Sequence, residues 1–238
     1  MDGLRRARQA RSEEGAVLGG RPLGVGYRSR AGWGAEEDVR FDEDGTERFP
    51  AEYFPVQTLT VHHTVTRQNP DPAATVRAIY HDHALVRDFG DIGHHLLVDH
   101  RGVVYEGRWS GADNIPVFGV PVSGAMPGPD GRLQMSNGAH VRGFNAGNVG
   151  IALLGDFTTA APTDAAIDSL VRVLRVLTAV CGLDPTGTTA YVNPVTGATA
   201  TVDTICGHLD WIPQTACPGD QLYPMLPTIR RRVAAVAV

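Results

Sequence analysis

Residues 57–63 read QTLTVHH and residues 149–157 read VGIALLGDF. These two stretches decide the fold class. The first is β-branched and alternating, the signature of a buried strand. The second is a nearly continuous apolar run, which suits a strand at the centre of a sheet. The first strand also delivers two adjacent imidazoles, His62 and His63, to its end, with Thr64 opening the loop beyond.

Working outward, Asp71 and Pro72 form an N-cap and first-turn pair for a predicted helix over 71–88, with Val76, Ile79, Tyr80, His83 and Val86 on one stripe. Residues 95–107, HLLVDHRGVVYEG, split into two apolar runs around Arg101-Gly102, a hairpin pattern. Thr163 caps a second helix whose Ile167, Leu170, Val171, Leu174, Leu177 and Cys181 share a face, and Gly182 ends it. A strand over 202–208 and a final amphipathic helix from Asp220, with Arg230, Arg231 and Arg232 near its end, complete the pattern. The acid-rich stretch 35–52 reads as a solvated loop, and the Gly/Pro-rich 110–137 segment as an insertion of the kind that forms lids. Residues 1–28 show no period and read as an extended or disordered leader, so the expected domain is 29–238. The sum is an α/β fold with one core.

All 21 basic residues among the 238 are Arg, and no Lys occurs. Schiff-base chemistry, pyridoxal-phosphate anchoring and the phosphate-binding lysine of a P-loop are therefore excluded. A formal net charge of −5 has the wrong sign for generic nucleic-acid binding, so no nucleic-acid partner is expected. Three cysteines are too few for a disulfide scaffold, and the odd count leaves a thiol over. No run approaches the ~18 apolar residues of a transmembrane helix, and the charged N-terminus lacks the apolar core of a signal peptide.

Far downstream of His62, the segment GHLDWIPQTACPG carries His208 and Cys217. Two imidazoles and a thiolate are borderline-soft donors suited to zinc, and three protein ligands with one open position make a catalytic site. The residues alone leave other readings open. His62 can be a packed core residue and Cys217 a buried apolar thiol. Cys206, two residues before His208 and on the same strand face, is a rival thiolate.

Five ordered blocks change that balance: SRAGWGA (29–35), VHHT (61–64), DIGHHLLVDHRGVVYEGR (91–108), GAHVRGFNAGNVGIALLGDF (138–157) and CGHLDWIPQTACPGDQLYP (206–224). In this order they resemble the peptidoglycan recognition protein family, part of the type 2 N-acetylmuramoyl-L-alanine amidases, and its bacterial branch in particular. The resemblance implies a single-domain central mixed β-sheet flanked by helices, with a zinc site in a surface groove. It implies His62, His208 and Cys217 as metal ligands, and peptidoglycan, as a muramyl peptide, as the partner. It places His63, Thr64, His83 and His140 in the groove as substrate-binding residues, and Thr215 beside the metal as a catalytic residue able to donate to an oxyanion. His94 stands where the family has Tyr, so an imidazole is expected in the catalytic helper's place.

Some positions depart from the family pattern. His208 to Cys217 is nine positions, one longer than usual, so the loop at 211–214 must absorb a residue. Asp88 and Phe89 hold the place of the pair associated with stem-peptide discrimination, and neither usual pair is present. Glu106 is a candidate general base, against the family's use of its block to shape a strand. Trp33, Trp109 and Trp211 read as packing residues, and His81 and His100 as solvated. The expected activity is zinc-dependent cleavage of the N-acetylmuramoyl-L-alanine amide bond, acting in the cell envelope or outside the cell. A non-catalytic peptidoglycan-binding module and a phage endolysin of the same family are the alternatives.

Overall fold

The computed structural model describes residues 17–111, 115–119 and 131–235. It opens with two short paired strands, β1 (Val17–Leu18) and β2 (Arg21–Pro22), then β3 (Tyr27–Arg28) and a one-turn helix α1 (Arg30–Trp33). Strands β4 (Tyr53–Pro55) and β5 (Thr58–His63) lead to helix α2 (Pro72–His81). Strands β6 (Leu96–Val98), β7 (Val104–Glu106), β8 (Gln134–Ser136) and β9 (Asn148–Leu153) follow, then the long helix α3 (Asp164–Cys181). A hairpin of β10 (Thr188–Val192) and β11 (Thr199–Asp203), strand β12 (Ile205–Gly207) and helix α4 (Leu226–Ala234) close the chain. The main sheet runs β12-β5-β9-β6-β7-β3 and is mixed: β6 and β7 pair antiparallel, and its other neighbours pair parallel.

Alternation along the central strands makes the two faces of this sheet chemically different. Leu59 and Val61 of β5, Val149, Ile151 and Leu153 of β9, and Leu96 and Val98 of β6 join α3 and α4 in the largest apolar cluster. Each large aliphatic side chain so buried contributes about 1.5–3 kcal/mol. The intervening positions Thr58, Thr60, His62, Asn148 and Gly150 form the opposite, polar floor. The larger core thus lies on the α3 side; on the other face Leu97, Tyr105 and Ala152 pack with Val76, Ile79 and Tyr80 of α2, and the polar floor beside that second cluster is available for chemistry. Helix α3 ends where its sequence says it should: the Thr163 hydroxyl accepts from the Ala166 N–H, and Gly182 takes the left-handed conformation at φ 65°.

Several expectations are corrected. Residues 17–28 are not a leader, because Leu18, Leu23 and Tyr27 are buried in the main core and β3 extends the sheet; the domain begins before Ser29. Residues 1–16 of that expected leader lie outside the described residues. The acidic stretch is not simply solvated, since buried Arg40 pairs with both Glu37 and Glu47. The 71–88 helix is α-helical only to His81 and continues as a π-helical turn over Asp82–Val86, so Val86 is 78% exposed instead of lying on the apolar stripe. The final helix begins at Leu226, after a 3₁₀ turn at Tyr223–Met225. The predicted strand over 202–208 is two strands, β11 and β12, and β10 with its hairpin was not foreseen. Within the 110–137 segment, Val117, Phe118 and Met135 are core residues and β8 pairs with β4, so its flanks belong to the body of the domain. Residues 112–114 and 120–130 lie outside the described residues.

The tryptophans pack as expected. Trp33 is buried and donates Nε1–H to the Glu106 carbonyl, Trp211 is buried against Tyr191, and Trp109 lies under the Arg40 guanidinium. Glu106 accepts hydrogen bonds from Tyr27 Oη and the Arg30 amide, a structural role within the sheet.

Candidate metal centre

The polar floor rises to a surface groove at the ends of β5 and β12. His62 comes from the last turn of the β5 pleat, on the face shared with Thr58 and Thr60. His208 follows β12 directly and starts a 3₁₀ turn held by Asp210, whose carboxylate accepts from the Gly207 N–H at 2.7 Å and from Tyr223 Oη. Cys217 reaches the same point from the loop after it. The extra residue between His208 and Cys217 is absorbed by a compact turn: Ile212 N–H bonds to His208 O, Thr215 N–H to Ile212 O, and Leu209 N–H to Cys217 O.

The ligand atoms of His62, His208 and Cys217 all lie within 4.8 Å of one another. Cys217 Sγ is 3.5 Å from His62 Nδ1. A tetrahedral zinc with Zn–S of about 2.3 Å and Zn–N of about 2.0–2.1 Å would separate such a pair by about 3.6 Å. His208 Nε2 is buried and without a hydrogen-bond partner, an orphaned polar atom of the kind that a cation satisfies. The residues present therefore fit a metal ion. Cys206 does not join them. Its Sγ lies 3.4 Å from Thr60 Oγ1 and 3.1 Å from Trp211 Nε1, on the sheet floor beneath the site. Cys181, half-buried on α3, packs against the main core, and all three cysteines are free thiols.

Electrostatically the site is a cluster of neutral bases. Burial first, and then the neighbouring imidazoles His94, His140, His208 and His63, hold His62 well below the usual histidine range. Burial likewise lowers His208. It pushes the Cys217 thiol up to about 12, against a smaller opposite effect from the His63 N–H. The imidazoles thus need lose no proton to ligate a metal, whereas the thiol must lose one.

Around this centre, His94 is 8% exposed, its ring edge-on to His62 at 4.8 Å, with Nδ1 buried and unpartnered. Burial, with His83 and His140 next, drives its pKa well down, so it is a neutral ring near neutral pH. His83 lines the groove from the π-helical turn, a feature frequent at functional sites. Its Nδ1 accepts from Gly93 N–H, and burial takes its pKa to about 4. His63, on the alternate face from His62, accepts from the Phe157 amide through Nδ1 and still borders the groove. Thr64 Oγ1 accepts from Gly155 N–H and contacts Thr66 Oγ1 at 2.7 Å. Thr215 Oγ1 accepts from the Cys217 amide, which leaves its own O–H hydrogen uncommitted. His140 borders the groove, but both its ring nitrogens are bonded within the chain. Phe89 lines the groove, while Asp88 is turned away to Arg48. Arg67, Arg87 and Arg142 also line it.

Sequence reading missed the supports of this site. Asp210 braces the His208 turn, and Asn145 and Asn148 anchor His140. The GHLD and GFNAGN patterns carried that signal, since Asp and Asn at such offsets bond to nearby backbone.

Fold and site together define a class: a single-domain mixed α/β protein with a candidate His/His/Cys metal centre on the floor of a groove. The chain belongs to the N-acetylmuramoyl-L-alanine amidase family Amidase_2, whose profile matches residues 52–220. A human N-acetylmuramoyl-L-alanine amidase is 28% identical over 181 residues, which cover 74% of this chain but only 24% of the relative, so the chain spans about a quarter of that protein. A peptidoglycan recognition protein of Trichoplusia ni is 29% identical over 76% of this chain and 79% of its own length. In fold, the chain is similar to Drosophila PGRP-LB, at TM-score 0.57 and 24% identity over 85% of this chain and 92% of that one. It is also similar to the amidase LysC of Clostridium intestinale, at TM-score 0.54 and 23% identity over 79% and 91%. No helix among the described residues is long and apolar enough to cross a membrane.

Proposed function

We propose that this chain is a zinc-dependent hydrolase that cleaves the amide bond between N-acetylmuramic acid and L-alanine in peptidoglycan, acting in the cell envelope or outside the cell. The observation that carries the reading is the third ligand. Cys217 Sγ stands 3.5 Å from His62 Nδ1 with His208 beside them, a complete donor set with space in the groove for a fourth position. Zinc held there supplies Lewis acidity for the scissile carbonyl and a water acidified to a pKa of about 7.

The chain's own groups supply the rest. His62, His208 and Cys217 hold the ion. Thr215, with its hydroxyl hydrogen uncommitted, is placed to donate to charge developing on the carbonyl oxygen. His94, a neutral ring beside His62 with its Nδ1 unpartnered, can relay a proton to the departing amine; burial makes it a weaker base than a free imidazole, so a proton it takes up is passed on readily. The walls, with Phe89 and Ile212 beside Arg67 and Arg142, suit an anionic peptide with apolar side chains, while Arg87 is paired with Asp82 at 2.6 Å. His63, Thr64 and His83 border the groove where that peptide would lie.

The test is to incubate the zinc-loaded protein with peptidoglycan and measure new N-terminal alanine. Release supports the hydrolase; retention on peptidoglycan without release from a fully metallated sample would instead establish the binding module. His94 has its own signature. His94→Ala should reduce turnover by about 10²–10⁴-fold, whereas His94→Tyr should keep activity with a displaced pH profile; wild-type turnover in His94→Ala would remove the residue from the mechanism.

A further inference from the structure

We infer that His140 is a positioning residue: it fixes the tautomer of His62 and thereby aims the His62 Nδ1 lone pair at the metal position. The inference rests on the metal-centre reading above and deepens it. His140 Nε2 lies 2.9 Å from the Asn148 carbonyl oxygen, and His140 Nδ1 lies 3.0 Å from His62 Nε2. A carbonyl oxygen can only accept, so the His140 hydrogen sits on Nε2. His62 is 2% exposed and His140 8%, and among the described residues neither has a carboxylate within ion-pair reach, so each ring carries one N–H. His140 Nδ1 must then accept, His62 Nε2 must donate, and His62 Nδ1 is left with its lone pair facing Cys217 Sγ. The direction of the whole chain is set at its inner end by one backbone carbonyl.

The rest of the structure holds that chain rigid. Asn148 begins β9, receives the Thr60 hydroxyl on Oδ1 at 2.8 Å and donates Nδ2–H to the Phe144 carbonyl. The His140 amide donates to Asn145 Oδ1 at 2.8 Å. The His140 ring lies where side chains are missing: a Cβ on Gly150 would stand 2.7 Å from its Cγ, and one on Gly138 would stand 2.9 Å from its Cδ2. Two glycines thus make the seat. With both nitrogens spent inside the chain, His140 has no ring donor or acceptor left for a ligand. Outer partners of this kind orient metal-binding imidazoles and raise their basicity.

The experiment measures zinc affinity by competition with a chromophoric chelator for wild type, His140→Leu and His140→Asn, alongside ¹⁵N NMR of the His62 ring in the metal-free wild type. Asn Oδ1 takes the place of the imidazole Nδ1 and preserves the acceptor, while Leu removes it. His140→Leu should bind zinc about 10–100-fold more weakly, His140→Asn should recover most of that loss, and NMR should show His62 protonated at Nε2. Unchanged affinity in His140→Leu, equal loss in both variants, or a His62 protonated at Nδ1 would overturn the assignment. Should His140→Leu fail to fold, the wild-type NMR decides alone. Tight zinc binding with the expected tautomer but no alanine release would refute the hydrolase reading and leave this assignment standing.

Discussion

Cys217→Ser should lose zinc and amide hydrolysis together while keeping its fold. An alcohol is a poor zinc ligand where a thiolate is a good one, so the loss in affinity should exceed the roughly 10–100-fold cost of removing an outer-shell partner. The fold should survive because the substitution is nearly isosteric. The structural contact of the thiol, acceptance of the His63 N–H at 3.3 Å, is one that a hydroxyl oxygen also makes. Metal content by mass spectrometry, far-UV circular dichroism and alanine release on the same sample separate these effects. A variant that kept stoichiometric zinc would shift the ligand assignment to another donor. Cys206 is a poor substitute, because its thiol is committed to Thr60 and Trp211 and burial raises its pKa to about 11.

The second large effect is acid sensitivity of the metal-free protein. His62, His94, His95 and His140 are all buried, and burial is the largest cause of the lowered pKa in each, taking His95 to about 4. Their unfolded value is about 6.5. Below about pH 6.5 the unfolded chain binds protons that the native imidazoles refuse. The stabilisation is thus complete above pH 6.5 and is lost as pH falls. Four such groups give a slope on the order of 4–5 kcal/mol per pH unit, large against a total stability of about 5–15 kcal/mol. Urea midpoints of the apo protein at pH 7.5, 6.5 and 5.5 should fall steeply over the last step. With His62, His208 and Cys217 as the proposed ligands, added zinc should favour the native state and restore part of the loss. Equal midpoints at the three pH values would mean that these imidazoles take up protons in the fold as readily as in the unfolded chain.

The sequence made the central sheet legible because β5 and β9 are buried on both sides and carry strong patterns, and α3 because its cap, its stripe and its terminal glycine agree. Strands β1 to β3 escaped notice because two-residue strands have no period to detect. Their burial depends on Leu18 and Leu23 meeting α3, which is far away in the chain. Helix α2 was overextended because a π-helical turn breaks the 3.6-residue period without any Gly or Pro to announce it. The candidate ligands could be picked out through the ordered blocks, whereas spacing alone admitted Cys206 as well as Cys217. What decides between them is how the loop folds after His208, a turn braced by Asp210 and Tyr223. The hydrogen-bond direction through His140 lay beyond sequence reading altogether, because it depends on which carbonyl ends the chain of imidazoles.

The absence of lysine also acquires a sharper meaning. For the proposed hydrolase, no lysine side chain can stand beside the candidate metal centre, which leaves His94, Thr215 or an arginine as the groups expected to help the transition state. Of these, His94 and Thr215 lie in the groove with hydrogen-bonding capacity unspent.

The most direct test is a metal titration of the apo protein followed by product analysis of digested peptidoglycan. Alanine release should rise in proportion to added zinc, level off at one ion per chain, and yield products cut only between the lactyl group and L-alanine. Full occupancy by one zinc with no new alanine termini, or release that ignores zinc, would contradict the account.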